Sequence, residues 1–304
     1  MRLRPFALAE PESVPEAVEI LARLDGEARI IAGGTALVPT MRLGLVTPDR
    51  LVSLHRIPGL SQIRVDKGVL EIGAMTSLAA LARHEALRSA WLLLAQAAGR
   101  VATPAIRSTA TLGGNLCYAE AASDPAPALL CLDAQVRVAD SVGERVVPIG
   151  EFFTGFYETA VAPGEIVTGV RVPAAPAGAR SGYLKFCPRS AEDKPLIGVA
   201  ALLVLDAARR VGEIRVGLGG AAPTPLRARR AETAVKGQEL TDSAIRGAAD
   251  AAAGEAEPLS DLMGSADYRR EMIRVWVRRL LTALRDGRSW SRPGGGPLDP
   301  GMRP

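Results

Sequence analysis

The stretch that most constrains this 304-residue chain is Arg29-Ile30-Ile31-Ala32-Gly33-Gly34-Thr35-Ala36-Leu37-Val38-Pro39. A short β-branched apolar run reads as a buried strand. A Gly-Gly-Thr turn follows, and then a segment able to start a helix. Adjacent glycines carry no Cβ, so the backbone can turn sharply and lie close to a ligand. Their amides, and those of the helix start behind them, can point at an anion. A lone Gly-Gly is more simply an ordinary strand-ending turn. The balance shifts because a second such stretch, Thr109-Ala110-Thr111-Leu112-Gly113-Gly114-Asn115-Leu116, occurs later. Two Gly-Gly loops, each joined to a hydroxyl or amide side chain, suit two ends of one long phosphate-bearing ligand. Neither ends in Gly-Lys-Ser/Thr, which argues against a nucleoside-triphosphate P-loop.

Composition narrows the alternatives. At 304 residues, two domains are the natural division, and 48% hydrophobic content is ample for a core. Net charge is +4, with basic residues spread among acids and aromatics at only 4%, so no basic, aromatic-interleaved run points to nucleic acid. Cys117, Cys131 and Cys187 show no Cys-x-x-Cys pairing, which argues against zinc or iron–sulfur ligation within this chain. An odd cysteine count without a signal-peptide pattern fits a reducing cytoplasm. No apolar run approaches the roughly 20 residues of a membrane span. His55 and His84 are isolated, one in a loop and one on a solvated helix, and no Gly-x-Ser-x-Gly is present. No catalytic residue and no metal ligand is therefore assigned.

Along the chain, Ser13-Val14-Pro15-Glu16 reads as a capping box, followed by a helix with Val14, Ala17, Val18, Leu21 and Leu24 on one face and Gly26 just past its end. Leu51 to Leu54 reads as a strand. Ile63 to Val65 and Val69 to Ile72 form a hairpin around Asp66-Lys67-Gly68. Helical spacing covers Ser77 to His84 and Ala86 to Ala98. Asp124 precedes Pro125, the pattern of a helix N-cap, and its carboxylate could equally accept from a ligand's hydroxyls. Gln135 to Ala139 and Glu144 to Pro148 pair, and Glu165 to Pro173 alternates as a strand. Residues 174–179 are small and proline-containing, which sets the domain boundary at residue 176. Beyond it, Gly198 to Leu205 and Val211 to Leu218 form an antiparallel hairpin. Gly217-Leu218-Gly219-Gly220-Ala221-Ala222 is thus a structural turn despite its Gly-x-Gly-x-x-Ala form. Helices over Ile245 to Ala253 and around Ile273 to Leu284 complete a second domain, 177–287. Residues 288–304 read as a mobile tail.

Five blocks, in order, resemble the FAD-binding medium subunit of the molybdenum hydroxylases of the carbon monoxide dehydrogenase and xanthine dehydrogenase type. They are Ala32-Gly33-Gly34-Thr35 with Leu37, Pro39 and Met41; Ile106-Arg107 through Thr111-Leu112-Gly113-Gly114-Asn115-Leu116-Cys117 to Ser123-Asp124-Pro125-Ala126-Pro127-Ala128-Leu129; Pro163-Gly164-Glu165-Ile166-Val167; Arg189-Ser190-Ala191-Glu192-Asp193; and Leu218-Gly219-Gly220-Ala221-Ala222-Pro223-Thr224-Pro225. The resemblance spans roughly Phe6 to Leu284. Ala36 departs from it, since a polar residue often stands there, and the cysteine-bearing insertion of hydroxybenzoyl-CoA reductases is missing.

The resemblance implies an α+β chain. A two-part FAD-binding domain of the vanillyl-alcohol oxidase-like (PCMH-type) fold would precede a small α+β C-terminal domain. It implies non-covalent FAD, with its pyrophosphate on the amides of Gly33, Gly34, Thr35, Ala36 and Leu37 and on the second loop, Gly113 and Gly114. Thr35, Thr111, Asn115, Ser123 and Asp124 would hold the phosphates and sugar-like chain. Ile31, Ala32 and Ala102 would line the site, Val167 would pack on the ring, and Lys185 would reach in from the second domain. The implied partners are an iron–sulfur small subunit and a molybdopterin large subunit, assembled as a dimer of heterotrimers. Electrons would pass from the iron–sulfur chain through FAD to NAD, a quinone or another acceptor. The alternative is a standalone FAD-dependent oxidase of the related fold, for which a histidine or cysteine tether to the flavin would speak.

Overall fold

The structure, a computed structural model, describes residues 3–24 and 28–288. Gly26 and residues 289–304, on which the helix-end and tail readings fall, lie outside the described residues.

The chain opens with β1 (Ala7–Ala9), α1 (Val14–Arg23), β2 (Ala28–Ile31), α2 (Leu37–Arg42) and β3 (Arg50–Ser53), the strands forming a parallel sheet ordered β1-β3-β2. Ser13 caps α1 by accepting from the Glu16 amide, with Pro15 in the first turn. The return half of the capping box reaches one residue further out, since Glu16 Oε2 accepts from the Glu12 amide at 2.8 Å. Ala17 and Val18 of α1 pack with Val52 and Leu54, so α1 covers this sheet. Gly33 and Gly34 leave β2 at its C-terminal end, as the helix-then-strand order requires.

An antiparallel five-stranded sheet follows. It begins with β4 (Ile63–Asp66) and β5 (Val69–Gly73), a hairpin whose two-residue turn, Lys67-Gly68, has both φ values positive. Helices α3 (Leu78–Arg83), α4 (Glu85–Ala90), α5 (Leu92–Arg100), α6 (Pro104–Thr109), α7 (Leu112–Tyr118) and α8 (Pro125–Cys131) come next. The helix expected over Ala86 to Ala98 is broken at Trp91, whose backbone leaves the helical region (φ −125°, ψ 41°). The Trp91 indole donates to the Pro173 carbonyl at 2.8 Å, a tertiary anchor that helical spacing does not reveal. The sheet resumes with β6 (Gln135–Ala139) and β7 (Glu144–Pro148). After α9 (Ile149–Phe152) and the small hairpin β8 (Phe153–Gly155) and β9 (Glu158–Thr159), β10 (Ile166–Pro173) inserts between β5 and β6.

The second part is an antiparallel sheet of β11 (Arg180–Phe186), β12 (Ile197–Leu205), β13 (Val211–Gly219) and β14 (Leu226–Arg227), with α10 (Arg229–Val235), α11 (Asp242–Glu255) and α12 (Ala266–Arg285). Its two faces have different partners. Val199, Ala201 and Leu203 pack against the C-terminal helices, whereas Tyr183, Ala200 and Leu202 belong to the core shared with α5 and α8. A strand covered on both faces needs no polar alternation, which explains the continuous apolar run of β12. Gly217 lies against the Pro127 carbonyl of α8, where a Cβ would overlap it, so the glycine-rich end of β13 serves packing. Among the described residues, no helix is long and apolar enough to cross a membrane, and no group of three or more His, Cys, Asp or Glu residues is placed to hold a metal ion.

Candidate functional site: a cleft between the two parts

A cleft of about 490 Å³ runs between the β2–α2 loop, α6, α7, the 100–102 segment, β10 and the edge of β11. That volume falls in the range of cofactor sites. All the expected site residues line it except Ile31. Ile31 instead faces a shallow apolar depression on the other side of the loop, with Leu8, Val38, Pro39, His55 and Ile106.

The first loop is built by two glycines with different duties. Gly34 adopts φ +68°, a left-handed conformation costly for side-chain-bearing residues. Gly33 lies against the backbone of Thr109 and Ala110, leaving no room for a Cβ. Val38 and Thr40 donate back to the carbonyls of Gly34 and Ala36, starting α2. Among the described residues, the amides of Gly33, Thr35, Ala36 and Leu37, and that of Gly34 itself, meet no hydrogen-bond acceptor. Five successive donors thus remain open beside the cleft, an anion-binding arrangement. His55 is more than a loop residue, for its Nε2 lies 3.1 Å from the Ala32 carbonyl and steadies the loop's entry.

The second loop spends the amides of residues 112–115 within the chain. Thr111 is the N-cap of α7, its hydroxyl accepting from the Gly114 amide at 3.1 Å. Leu112 donates to Thr76, Gly113 to Ala74 and Asn115 to Thr111, at 2.8–2.9 Å. The amides of Leu112, Gly113, Gly114 and Asn115 are thus used within the chain. Gly113 and Gly114 are needed for close approach. Their Cβ atoms would lie 2.7 Å from Ala74 Cβ and 2.9 Å from Thr111 Oγ1. What this loop gives the cleft is side chains. Asn115 Oδ1 accepts from Ser123 Oγ at 2.7 Å, which leaves the Asn115 amide donors for a ligand.

Asp124 stands at the N-cap position of α8 without capping it through its side chain. Its backbone is already helical (φ −70°, ψ −43°) and its side chain bonds no α8 amide. The carboxylate turns the other way, accepting from Tyr183 Oη at 2.7 Å and from Lys185 Nζ at 3.3 Å. Lys185 and Asp124 side chains are 4% and 5% exposed. Burial pushes the Asp124 carboxyl above its ordinary range, against the opposing pull of Lys185 and of the Tyr183 hydrogen bond. Lys185 also donates to the Arg100 carbonyl at 2.8 Å. Beside it, Ala102 holds φ +39°, and Arg107 Nη1 donates to the Val101 and Ala102 carbonyls at 2.7 and 2.6 Å. A strained non-glycine backbone fixed from both sides is typical of a built site.

Three further groups escaped sequence reasoning. Glu120 accepts from Tyr157 Oη at 2.6 Å and from Lys194 Nζ, joining the β8–β9 hairpin to the 187–195 segment at the cleft mouth. Burial raises its carboxyl, but the bonds from Lys194 and Tyr157 carry it below the usual range. Cys117 lines the cleft, and although the residue as a whole is exposed, desolvation pushes its thiol up to about 12. Tyr183 was missed although it stands two positions before Lys185 on a strand and so shares its face.

These residues fit a flavin dinucleotide. Open amides match a pyrophosphate, the Asp124 carboxylate and Asn115 match sugar-like hydroxyls, and Met75, Ile166 and Val167 offer apolar contact to a ring. The fold and cleft define a two-part flavin-binding chain, and likeness to known proteins narrows this. Residues 4–175 match the family model "FAD binding domain in molybdopterin dehydrogenase", and residues 182–284 match "CO dehydrogenase flavoprotein C-terminal domain". The carbon monoxide dehydrogenase medium chain of Hydrogenophaga pseudoflava is 34% identical over 94% of this chain and 98% of its own. Subunit alpha of the 6-hydroxypseudooxynicotine dehydrogenase complex of Paenarthrobacter nicotinovorans is 34% identical over 92% and 95%. A structure of the Hydrogenophaga carbon monoxide dehydrogenase superposes with a TM-score of 0.92 at 35% identity, covering 95% of this chain and 100% of that one. This chain belongs to the family of FAD-binding medium subunits of the molybdenum hydroxylases. It is an FAD-binding flavoprotein subunit of an oxidoreductase.

Proposed function

We propose that this chain is the electron-exit subunit of a three-chain molybdenum hydroxylase. An iron–sulfur small subunit would deliver electrons to it, a molybdopterin large subunit would oxidise the substrate, and NAD, a quinone or another acceptor would collect the electrons. The assembly would be a dimer of heterotrimers in the cytoplasm. The observation that carries the reading is one cleft with five open amides on one wall and a buried, doubly bonded carboxylate on another. Relatives named as a "medium chain" and as a "complex subunit" support the assembly.

When bound, FAD supplies the capacity to take up and release electrons. The protein's part is binding and orientation. The amides of Gly33 to Leu37 would hold the pyrophosphate, while Thr111 and Asn115 of the second loop and Ser123 before α8 would contribute side chains. Asp124 accepts from hydroxyls, and Lys185 opposes the rise that burial imposes on that carboxyl. Val167 packs on the ring, and Ala32 and Ala102 shape the wall. Glu120, Lys194 and Tyr157 hold the mouth together. The division of the chain at residue 176, between β10 and β11, is proposed on the same grounds as from the sequence.

The test is co-purification of the tagged chain from its native host, followed by anaerobic reduction of the complex and reoxidation by NAD⁺, a soluble quinone or oxygen in turn. Co-purifying iron–sulfur and molybdenum chains and one fast acceptor are expected. A chain that purifies alone and turns over an organic substrate would establish the standalone oxidase.

A further inference from the structure

Tyr183 does not line the cleft, is 3% exposed, and still reaches a cleft residue. It stands on β11 two positions before Lys185, so both side chains leave the same face of the strand. Between them they divide the Asp124 carboxylate. Tyr183 Oη takes Oδ1 at 2.7 Å and Lys185 Nζ takes Oδ2 at 3.3 Å. The neighbouring strand is cut away for this. Gly198 pairs with Lys185 in the β11–β12 register, and a Cβ there would lie 2.6 Å from the Tyr183 hydroxyl. The Tyr183 backbone is fixed too, its amide donating to Gln96 Oε1 at 3.1 Å. A ring buried only as apolar filling would need neither the hydroxyl nor the bare strand beside it.

We propose that Tyr183 is a positioning residue for the cofactor, holding the Asp124 carboxylate so that it presents acceptor positions to ligand hydroxyls instead of chelating Lys185. The inference rests on the reading that Asp124 faces the sugar-like hydroxyls of FAD. A carboxylate has about four lone-pair positions. With one oxygen held by each partner, the remaining positions are fixed relative to the cleft. Without the phenol, both oxygens are free to turn toward the ammonium of Lys185. The charged and titratable groups around Asp124 are Lys185 and Tyr183 from β11 and Arg100 from α5. Cys187 bears on Tyr183 in turn.

The test compares Tyr183→Phe, Asp124→Asn, the double variant and Gly198→Ala, in the full chain stripped of FAD and titrated with FAD. Readouts are the dissociation constant, the visible spectrum of bound flavin, and the pH at which acidification releases it. Tyr183→Phe should melt close to the wild type but bind FAD about tenfold more weakly, the usual scale for losing one hydrogen bond to a charged group. Its bound-flavin spectrum should shift, and release should begin at higher pH, because a donor that favours the carboxylate is gone. The double variant should bind no more weakly than Asp124→Asn. Gly198→Ala, which pushes the phenol away while keeping it, should reproduce the defect and guards against a folding failure of Tyr183→Phe. Wild-type affinity and acid profile in both Tyr183→Phe and Gly198→Ala, beside a weakened Asp124→Asn, would reduce Tyr183 to packing. Wild-type affinity in Asp124→Asn would remove the Asp124 reading itself, and the inference with it.

Discussion

Gly33 lies against the carbonyl oxygen of Thr109 so closely that a Cβ on Gly33 would overlap it. This contact seats the loop after β2 against the end of α6, and so fixes one wall of the cleft against the other. It also separates the duties of the two glycine pairs. The first exposes amides. The second lets α7 approach Ala74 and keeps its amides for the fold.

Gly33→Ala should therefore lower flavin occupancy by forcing the loop away from Thr109. Gly34→Val should do so by a different route, since φ +68° costs a β-branched residue roughly 1–3 kcal/mol. The ratio of flavin to protein absorbance in the purified variants, read against their melting temperatures, checks this. Full occupancy in both would show that the loop is only a turn.

FAD should be held without a covalent bond. Cys117 is the thiol that lines the cleft, and desolvation pushes it up to about 12, so it stays neutral and a poor nucleophile near pH 7. Denatured and filtered protein should release all its yellow colour as FAD by mass spectrometry. Colour retained on the polypeptide would contradict this.

The far end of α8 predicts a stability effect. Asp124 begins this helix, and its C-terminal carbonyls are held from the second part of the chain. Arg227 donates to Leu130 O at 2.9 Å and Arg215 to Cys131 O at 3.0 Å. Cations at a helix C-terminus are favourable, and Arg227 also pairs with Asp133 and Glu232 while only 12% exposed. Arg227→Ala leaves the half-buried Glu232 carboxylate only the Val216 amide and should cost about 2–4 kcal/mol. Calorimetry should show a melting temperature lower by roughly 5–10 °C, since ~1 kcal/mol shifts a chain of this size by a few degrees. An unchanged melting temperature would mean that the clamp contributes nothing.

Glu120 predicts a pH effect with a defined sign. Its folded carboxyl lies below the unfolded value. Its contribution is therefore present above the unfolded value and lost as pH falls through the folded one. Lys194→Met removes the first of the bonds that lower it, so Glu120 should protonate at higher pH in the variant. Acid-induced flavin loss should begin at higher pH than in the wild type. Superimposable acid curves would show that the contact does not bear on the cleft.

Much of this was legible in the sequence because the signals are local. Ser13 with Glu16, the Lys67-Gly68 turn and the β12–β13 hairpin are set by neighbours, and each appears where spacing placed it. The Gly33–Gly34 loop was legible for the same reason. What the sequence left undecided depended on distant partners. Asp124-Pro125 has the form of a cap, but Tyr183 and Lys185 arrive from sixty residues away and take the carboxylate. The Gly113 amide is taken by Ala74 O, and Trp91, where the helix breaks, donates its indole to Pro173 O. Such competition between a local motif and a tertiary acceptor leaves no mark in spacing. Tyr183 is the exception, since strand alternation from Lys185 would have found it.

The last prediction is that the isolated chain does not oxidise the organic substrate of its complex. The cleft is organised for binding and orientation. Its buried carboxylate and ammonium, Asp124 and Lys185, are bound to each other and to Tyr183 Oη and Arg100 O, so neither of these two is free for acid–base work on a substrate. The groups at the mouth, Glu120, Lys194 and Tyr157, are likewise paired among themselves. An artificial donor should reduce the isolated flavoprotein, and NADH should do so if NAD is the natural acceptor. Turnover of the organic substrate should appear only when the iron–sulfur and molybdenum chains are added. In that complex, Asp124→Asn and Lys185→Met should slow electron delivery to the acceptor, while substrate still reduces the molybdenum centre at the wild-type rate in a single-turnover experiment. Equal slowing of both phases would place these residues outside the exit path, and substrate turnover by the chain alone would return the standalone oxidase as the better reading.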